Sequence, residues 1–341
     1  MKPPREAVRI AVAGASSLRG KELRHWIEES KFPALDTRLL DEEFVAGLLT
    51  EVAGEPAVIE TVDDESFDRV RFAFFAGSEG FATRHGMKAQ KAGAVVIDMS
   101  GGLISEPLAR PWIPALDSIL PSPAEKTATG IAQTLYVVPS TPADIAISIS
   151  AALAPLELER VAVTFFRPAS ERGQEAIEEL EDQVVKLLSF QPFGQKLFDT
   201  QAGFNMLSSY GPESAEKLAT VRESIVGEVR NYLANRVPLP AIALVQAPVF
   251  YSYTFSAYAE FKNPPALEAL AARLTDAGLK VTDANDEPPN NVNVAGESRP
   301  VLANPERDSS VETGLWIWGA ADNMRVPAAT AVAIAEKLLA S

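Results

Sequence analysis

At 341 residues the chain is long enough for two hydrophobic cores rather than one, and 47% apolar with 23% charged residues is the mix of a packed globular protein. With 46 acidic and 31 basic residues the formal charge is −15, which argues against the clustered basic surface that nucleic acid or an anionic membrane requires. The absence of cysteine excludes a disulfide, a thiolate nucleophile and a cysteine-ligated metal. His25 and His85 are the only imidazoles, and no convincing metal-ligand cluster accompanies them.

Met1 to Glu6 is polar and runs straight into an apolar run, so no signal peptide is expected. No apolar stretch is long enough to span a bilayer, and a soluble, cytoplasmic protein is expected. Val8 to Ala13 reads as a buried parallel strand ending at Gly14. Lys21 to Ser30 follows as an amphipathic helix with Leu23, Trp26 and Ile27 on one stripe. Thr37 to Leu40, Ala57 to Thr61, Phe72 to Ala76 and Ala94 to Asp98 are further strands, with a helix over Thr83 to Ala92. Strands alternating with helices predict a parallel, doubly wound α/β sheet.

Residues 105 to 125 are rich in proline and read as an extended surface segment. Thr134 to Val138 is a strand. Thr141-Pro142-Ala143-Asp144 then opens a helix, with Thr141 as cap, Pro142 in the first turn and Asp144 closing a capping box. That helix stops at Pro155. Beyond it the pattern changes to a strand over Arg160 to Phe166, a helix over Glu171 to Ser189 and a loop over 190 to 212. A helix over Glu213 to Ala234 and strands over Ala241 to Val245 and Val249 to Phe261 follow. Pro264 to Ala277 is helical, 283 to 300 a polar loop, Leu315 to Ala320 a strand and Val326 to Ala340 a closing helix. These elements predict an α+β sheet with helices on one face.

Gly14-Ala15-Ser16-Ser17-Leu18-Arg19-Gly20 lies between the first strand and the first helix. Such a turn lets backbone N–H groups and a helix N-terminus receive a pyrophosphate, which makes Gly14, Ser16, Ser17, Leu18 and Gly20 candidate cofactor contacts. Ser17 stands where a middle glycine is common, which would crowd the phosphate. Asp41 lies just past the second strand, where a carboxylate can accept from ribose hydroxyls. With Glu42 and Glu43 it opposes a 2′-phosphate, with Arg38 softening the field, so NAD is favoured over NADP. Gly77, Ser78 and Ser100 follow later strands, at the carboxyl ends that line a ligand crevice in such sheets. The alternative for each is an ordinary turn or acidic loop without ligand.

These segments together resemble the aspartate-semialdehyde dehydrogenase family over nearly the whole chain. The resemblance rests on IAVAGASSLRG at 10 to 20, FFAGS at 74 to 78, VVIDMSG at 95 to 101 and FGQKLFDTQAGFNML at 193 to 207. QAPVFYSYTFSAYAEF at 246 to 261 and ADNMRVPAATAVAIAEKL at 321 to 338 carry it further. It implies a homodimer with a Rossmann-like dinucleotide-binding domain over 1–140 and an α+β substrate and dimerisation domain over 141–320. It also implies a C-terminal helix over 321–341 packing back on the first domain. The closest likeness is to a paralogous branch lacking the usual catalytic residues.

Family enzymes attack an aldehyde with a cysteine at a helix N-terminus. The corresponding stretch here is Val138 to Asp144, with Ser140 as the obvious stand-in. The resemblance places Tyr253 where the family has its histidine base, and Gln246 where an arginine grips the substrate carboxylate. The phosphate-binding lysine falls near Ser224, close to Arg222. The arginine expected after the VID strand is missing from Gly101 to Ile104. A phenol with a pKa near ~10 is a poor base at neutral pH. Asn323 matches the residue beside the nicotinamide, with capping of the last helix as its alternative role. Three readings follow: an NAD-binding pseudoenzyme acting as dimeric scaffold or sensor, an oxidoreductase acting on a carbonyl without a covalent step, and a dimerisation protein with no ligand.

Overall fold

The computed structural model describes residues 7–52, 54–120, 134–283 and 285–340. It divides into two compact units, the first made of residues 7–117, 134–140 and 327–340, the second of 118–120 and 141–326. Among the described residues no helix is long and apolar enough to cross a membrane.

The first unit is a seven-stranded sheet of β1 (Val8–Ala13), β2 (Ala34–Asp41), β5 (Glu60–Thr61), β6 (Phe72–Phe75), β7 (Val95–Asp98), β8 (Arg110–Pro111) and β9 (Leu135–Val137). Their order is β5-β2-β1-β6-β7-β9-β8, and every pairing is parallel. A parallel sheet needs both faces covered, which is why its inner strands read as unbroken apolar runs. Side chains alternate between the faces. Ile10, Val12, Phe72 and Phe74 pack with Leu23 and Ile27 of α1 (Leu18–Glu29). The same core takes Ala328, Ala331, Val332, Ile334 and Ala335 from the closing helix. Ala11, Ala13, Ala73 and Phe75 pack instead with Phe81, Ala82 and Ala89 of α2 (Glu79–Lys91). Between β2 and β5 sits a small antiparallel hairpin, β3 (Leu49–Val52) with β4 (Glu55–Val58), so the strand expected over 57 to 61 is split in two.

The segment from residue 105 is not an extended surface stretch over its described part. Trp112, Ile113, Leu116 and Leu120 are buried. Pro111 sits in edge strand β8 and Pro114 opens a turn of 3₁₀ helix, two settings that do not need a proline N–H. Trp112 stacks on Tyr136 at 5.2 Å and donates its indole N–H to Asp117 at 2.8 Å. Residues 121–125 of that expectation lie outside the described residues.

The second unit is built on a mixed sheet of β10 (Leu158–Arg167), β11 (Ala241–Gln246), β12 (Tyr253–Phe261), β13 (Lys280–Val281), β14 (Val301–Leu302), β15 (Glu306–Arg307) and β16 (Gly314–Ala321). The order is β11-β10-β12-β16-β14-β13, with β15 also paired to β16. The helices are α3 (Thr141–Leu153), α4 (Gln174–Leu188), α5 (Leu218–Leu233) and α6 (Leu267–Asp276), and α7 (Arg325–Ala340) closes the chain. All of α3 is buried; it packs on β10, α5 and α6. The sheet's inward face carries Val161, Val163, Phe165, Phe255, Ala257, Leu315 and Ile317, all buried. The opposite face pairs Tyr258 with Trp316 and Ser256 with Trp318, and the two indole residues are 45% and 38% exposed.

Three expected elements are shorter at their starts. The strand expected from Val249 begins only at Tyr253, because Ser252 adopts φ +65 and breaks the run. The helix expected from Glu171 splits into a 3₁₀ turn over Ala169–Arg172 and α4, with Gly173 at φ +84 between them. The helix expected from Glu213 begins only at Leu218. Asp199 accepts from the Glu213 N–H at 2.7 Å, and residues 213–217 stay in a loop.

Candidate functional site

The first group of candidates lies where the sheet order reverses. The chain runs from β1 outward to β2, then returns to place β6 on the other side of β1. Ligands of doubly wound sheets bind beside such a switch point. Gly14 ends β1 with φ +86, and a Cβ there would lie 2.2 Å from Cα and N of Gly77, which ends β6. A Cβ on Gly20 would lie 2.1 Å from the Gly14 carbonyl oxygen. Glycine is thus required because two strand-end loops and the first helix turn touch backbone to backbone.

Ser17 does not crowd this turn with a free side chain. Its Oγ accepts from the Gly20 N–H at 2.9 Å, capping α1. The same hydroxyl lies 2.8 Å from the Gly14 carbonyl and 2.9 Å from that of Ala76. Ser78 plays the matching role on α2, accepting from Phe81 N at 3.1 Å. Two capped helices therefore begin at the ends of the two strands flanking the switch point, and Leu18 is the first residue of the first of them. The partial positive charge of such helix ends favours an anion.

Asp41 is 7% exposed, and its carboxylate turns into the turn itself. One oxygen accepts from Ser16 N at 2.7 Å and the other from Glu42 N at 2.8 Å. Glu42 pairs with Arg84, and Arg38 donates to the Glu65 carbonyl. Ser100 donates its hydroxyl to Asp98 at 2.6 Å, and the Ser100 and Leu103 N–H groups bond the same carboxylate. Burial raises the pKa of Asp98, and these bonds oppose the rise.

The second group lies within the second unit. Asn323 is 1% exposed. Its Oδ1 accepts from Ser252 N at 2.9 Å, and its Nδ2 donates to Ser170 Oγ at 3.0 Å and Glu171 at 2.7 Å. It does not cap the last helix. That role falls to Asp322, which accepts from Met324 N at 2.9 Å and Arg325 N at 3.0 Å. Asn323 instead holds Ser252 in the left-handed region, a strain of about 1–3 kcal/mol for a residue other than glycine.

Tyr253 and Gln246 converge on a residue that the sequence reading did not single out, Arg167. Arg167 ends β10, and Gln246 is its partner in parallel register on β11. Gln246 is 1% exposed; its Oε1 accepts from the Tyr210 hydroxyl at 2.7 Å, and its Nε2 donates to the carbonyls of Arg167 at 2.9 Å and Ala247 at 3.0 Å. The Arg167 guanidinium bonds Tyr210 at 2.7 Å and Glu216 at 2.6 and 3.1 Å. Burial opposes its charge, but the oxygens of Tyr210 and Glu216 outweigh that and hold it protonated. Burial, followed by the charge of Glu171, pushes the Tyr253 phenol well above its ordinary range. A charge at the carboxyl end of an apolar strand, as in RVAVTFFR, was the available signal for Arg167. Arg222 and Ser224 are exposed on α5.

Ser140 belongs to the first unit, immediately before α3. Asp144, in the first turn of α3, is 6% exposed and accepts from Ser148 Oγ at 3.0 Å. Burial pushes its pKa up to about 6, against the pull of Ser148.

A parallel sheet wrapped on both faces, with a glycine cradle at its switch point, defines a Rossmann-like NAD-binding unit; the mixed sheet that follows is the second part of a two-unit α/β protein. Residues 9–152 match the family model of the semialdehyde dehydrogenase NAD binding domain, and residues 150–326 that of the semialdehyde dehydrogenase dimerisation domain. The chain belongs to the semialdehyde dehydrogenase family. It is 29% identical to a USG-1 protein homolog of Pseudomonas aeruginosa, with 98% of each chain covered. It is 26% identical to an aspartate-semialdehyde dehydrogenase of Shewanella violacea, covering 97% of each. Its fold is similar to that of aspartate semialdehyde dehydrogenase II from Vibrio cholerae, with TM-score 0.86, 22% identity and coverage of 98% and 99%. A probable aspartate-semialdehyde dehydrogenase from Pseudomonas aeruginosa gives TM-score 0.84 at 27% identity, with the same coverage.

Proposed function

We propose that this chain is a nicotinamide-dinucleotide-binding homodimer of the family that does not carry out thiolate-dependent oxidation of a semialdehyde. The observation that carries the reading is the lack of any cysteine in the 341 residues. A serine at Ser140 would need a base to become nucleophilic. Tyr253, which the family resemblance sets at the histidine position, is held protonated by burial and by Glu171, so it can donate a hydrogen bond but not accept a proton at neutral pH. Gln246 is neutral, and its amide is spent on Tyr210 and two backbone carbonyls. Residues that act as one catalytic unit lose nearly all activity together.

The glycine cradle supports cofactor binding. A Cβ would fill the contact between Gly14 and Gly77, and both helix starts there are capped by serines rather than blocked. The residues that would hold the dinucleotide are Gly14, Ser16, Ser17, Leu18, Gly20, Asp41, Gly77 and Ser78. A bound nicotinamide would supply a hydride acceptor. NAD is favoured over NADP because Asp41 keeps a carboxylate at the end of β2 while Arg38 and Arg84 are engaged with Glu65 and Glu42. The homodimer would form through the face of the second sheet that carries Trp316 and Trp318.

Two measurements test this. Calorimetric titration with NAD and NADP is expected to show binding, tighter for NAD. Tighter NADP binding would overturn the cofactor choice, and no binding of either would overturn the cofactor reading altogether. Phosphate-dependent turnover of aspartate semialdehyde by the unmodified protein is expected to be absent; clear turnover would overturn the inactive assignment. Turnover within a panel of other aldehydes would favour an oxidoreductase working without a covalent step.

A further inference from the structure

Asp41 supplies charge at the end of β2, but the residue placed to choose between dinucleotides is its neighbour. Asp41 is buried, and each of its oxygens already takes a backbone N–H, from Ser16 at 2.7 Å and from Glu42 at 2.8 Å. The second of these bonds fixes where the next residue leaves the strand. The Glu42 side chain, 31% exposed, pairs with Arg84 of α2, which is 52% exposed. The other cations near this rim are held by residues outside the turn: Arg38 donates to the Glu65 carbonyl, and Lys88 pairs with Asp64 at 2.8 Å.

Arg84 reaches Glu42 because a helical side chain leans toward the N-terminus of its helix. Its guanidinium returns to the first turn of α2: a Cβ on Gly80 would lie 3.5 Å from Arg84 Nη1 and 4.0 Å from the Ser78 hydroxyl. The same group stands over the Phe81 ring, with Cζ 5.8 Å from the centroid. The pair therefore sits between the end of β2 and the start of α2, beside the place where a dinucleotide carries its adenosine ribose in such sheets. An arginine there accommodates a 2′-phosphate through paired hydrogen bonds to its oxygens. In this chain the arginine is present and a carboxylate takes it up.

We propose that the Glu42–Arg84 pair is a selectivity latch: Glu42 occupies the guanidinium that would otherwise receive a 2′-phosphate, and removal of that single carboxylate turns the site toward NADP. The latch presupposes dinucleotide binding at the glycine cradle and assigns the choice of dinucleotide to Glu42. A 2′-phosphate would have to displace Glu42 and then lie against its unpaired charge, two costs that a free 2′-hydroxyl does not meet. An exposed ion pair adds little to stability, so the latch can be opened by substitution with the fold intact.

NAD and NADP titrated calorimetrically into the unmodified chain, Glu42→Gln, Arg84→Ala and the double variant are the test. The ratio of NADP to NAD affinity is expected to rise at least about tenfold in Glu42→Gln, where the guanidinium is freed and the repelling charge is gone. It is expected not to rise in Arg84→Ala, and the double variant is expected to lose most of the gain. Raising the salt to about 0.5 M is expected to shrink the gain, since both groups are exposed. Circular dichroism checks folding, and Glu42→Ala supplies a second substitution with the same expected outcome. Unchanged selectivity in a Glu42 variant that still binds NAD would overturn the latch alone. So would a full gain that survives the loss of Arg84, or tighter binding of NADP than of NAD by the unmodified chain. Failure of all these proteins to bind either dinucleotide would overturn the cofactor reading, and the latch with it.

Discussion

Replacing Asp144 by asparagine isolates the electrostatics of the most deeply buried helix. Asp144 sits in α3, every residue of which is buried, and its carboxylate takes one hydroxyl bond from Ser148. Burial raises its pKa from the ordinary 3.8 to about 6. The folded state therefore holds this proton more tightly than the unfolded chain does. The associated stability is fully present below the unfolded value of 3.8 and is lost as pH rises through about 6. The whole window corresponds to about 3 kcal/mol, since each tenfold gain in proton affinity contributes about 1.36 kcal/mol. Between about pH 5 and pH 8 the loss is about 1 kcal/mol, since most of the folded carboxyls are still protonated at the lower value.

An asparagine side chain carries no charge at either pH, so the Asp144→Asn variant should lack this slope. The absolute stability of the variant also includes the cost of placing its amide N–H groups, about 1–3 kcal/mol if they find no acceptor. The difference in pH dependence cancels that constant. Urea unfolding of both proteins at the two pH values is the assay, and the gap in unfolding free energy should shift by about 1 kcal/mol in favour of the asparagine at the higher pH. Ser148→Ala removes the bond that favours the charged form, so it should move the window upward in pH. Parallel pH dependence of Asp144→Asn and the unmodified chain would refute the reasoning.

Gly14→Ala should cost several kcal/mol and abolish nucleotide binding, because its Cβ would overlap Gly77 backbone at 2.2 Å, whereas Gly47→Ala, with a similar φ of +85 but open space around it, should cost only about 1–2 kcal/mol; equal costs in urea melts would show that the close contact is not limiting. Trp316→Glu combined with Trp318→Glu should give a monomeric mass by light scattering with unchanged circular dichroism, and a persisting dimer would move the interface elsewhere. Ser140→Cys alone should give no phosphate-dependent oxidation of aspartate semialdehyde, as the thiol would lack a base and Gln246 cannot supply an arginine's charge; measurable turnover would mean that another group serves as base.

How far the site was legible follows from the distance over which each residue's partners lie. The cradle is a local device. Gly14 must be glycine to end a strand at positive φ, so it is visible in a short window of sequence, whereas Ser17, read there as crowding the turn, proves to cap the helix three residues on. The buried strands were equally legible, because a parallel strand covered on both faces has to be apolar throughout. The absence of a thiol required no structure at all, since it rests on a residue type missing from the sequence.

Other features were decided only by tertiary contacts. Asp41 turns inward because its partner N–H, on Ser16, is 25 residues away in sequence. Asn323 is a buried hub rather than a helix cap because Ser170 and Ser252 arrive from 153 and 71 residues away. The stretch 213–217 continues a helical pattern, yet it stays in a loop where Asp199 takes the Glu213 N–H and Glu216 lies against Arg167, 49 residues earlier. Helix propensity amounts to a few tenths of a kcal/mol per residue, whereas a bond to a buried charge contributes about 1.5–3 kcal/mol, so the tertiary partner overrides the local preference. Sequence by itself determined most of the elements, the glycine turn and the absence of a thiol; the tertiary structure determined where some of them start and where the long-range polar side chains spend their hydrogen bonds, because those partners meet only after the chain has folded.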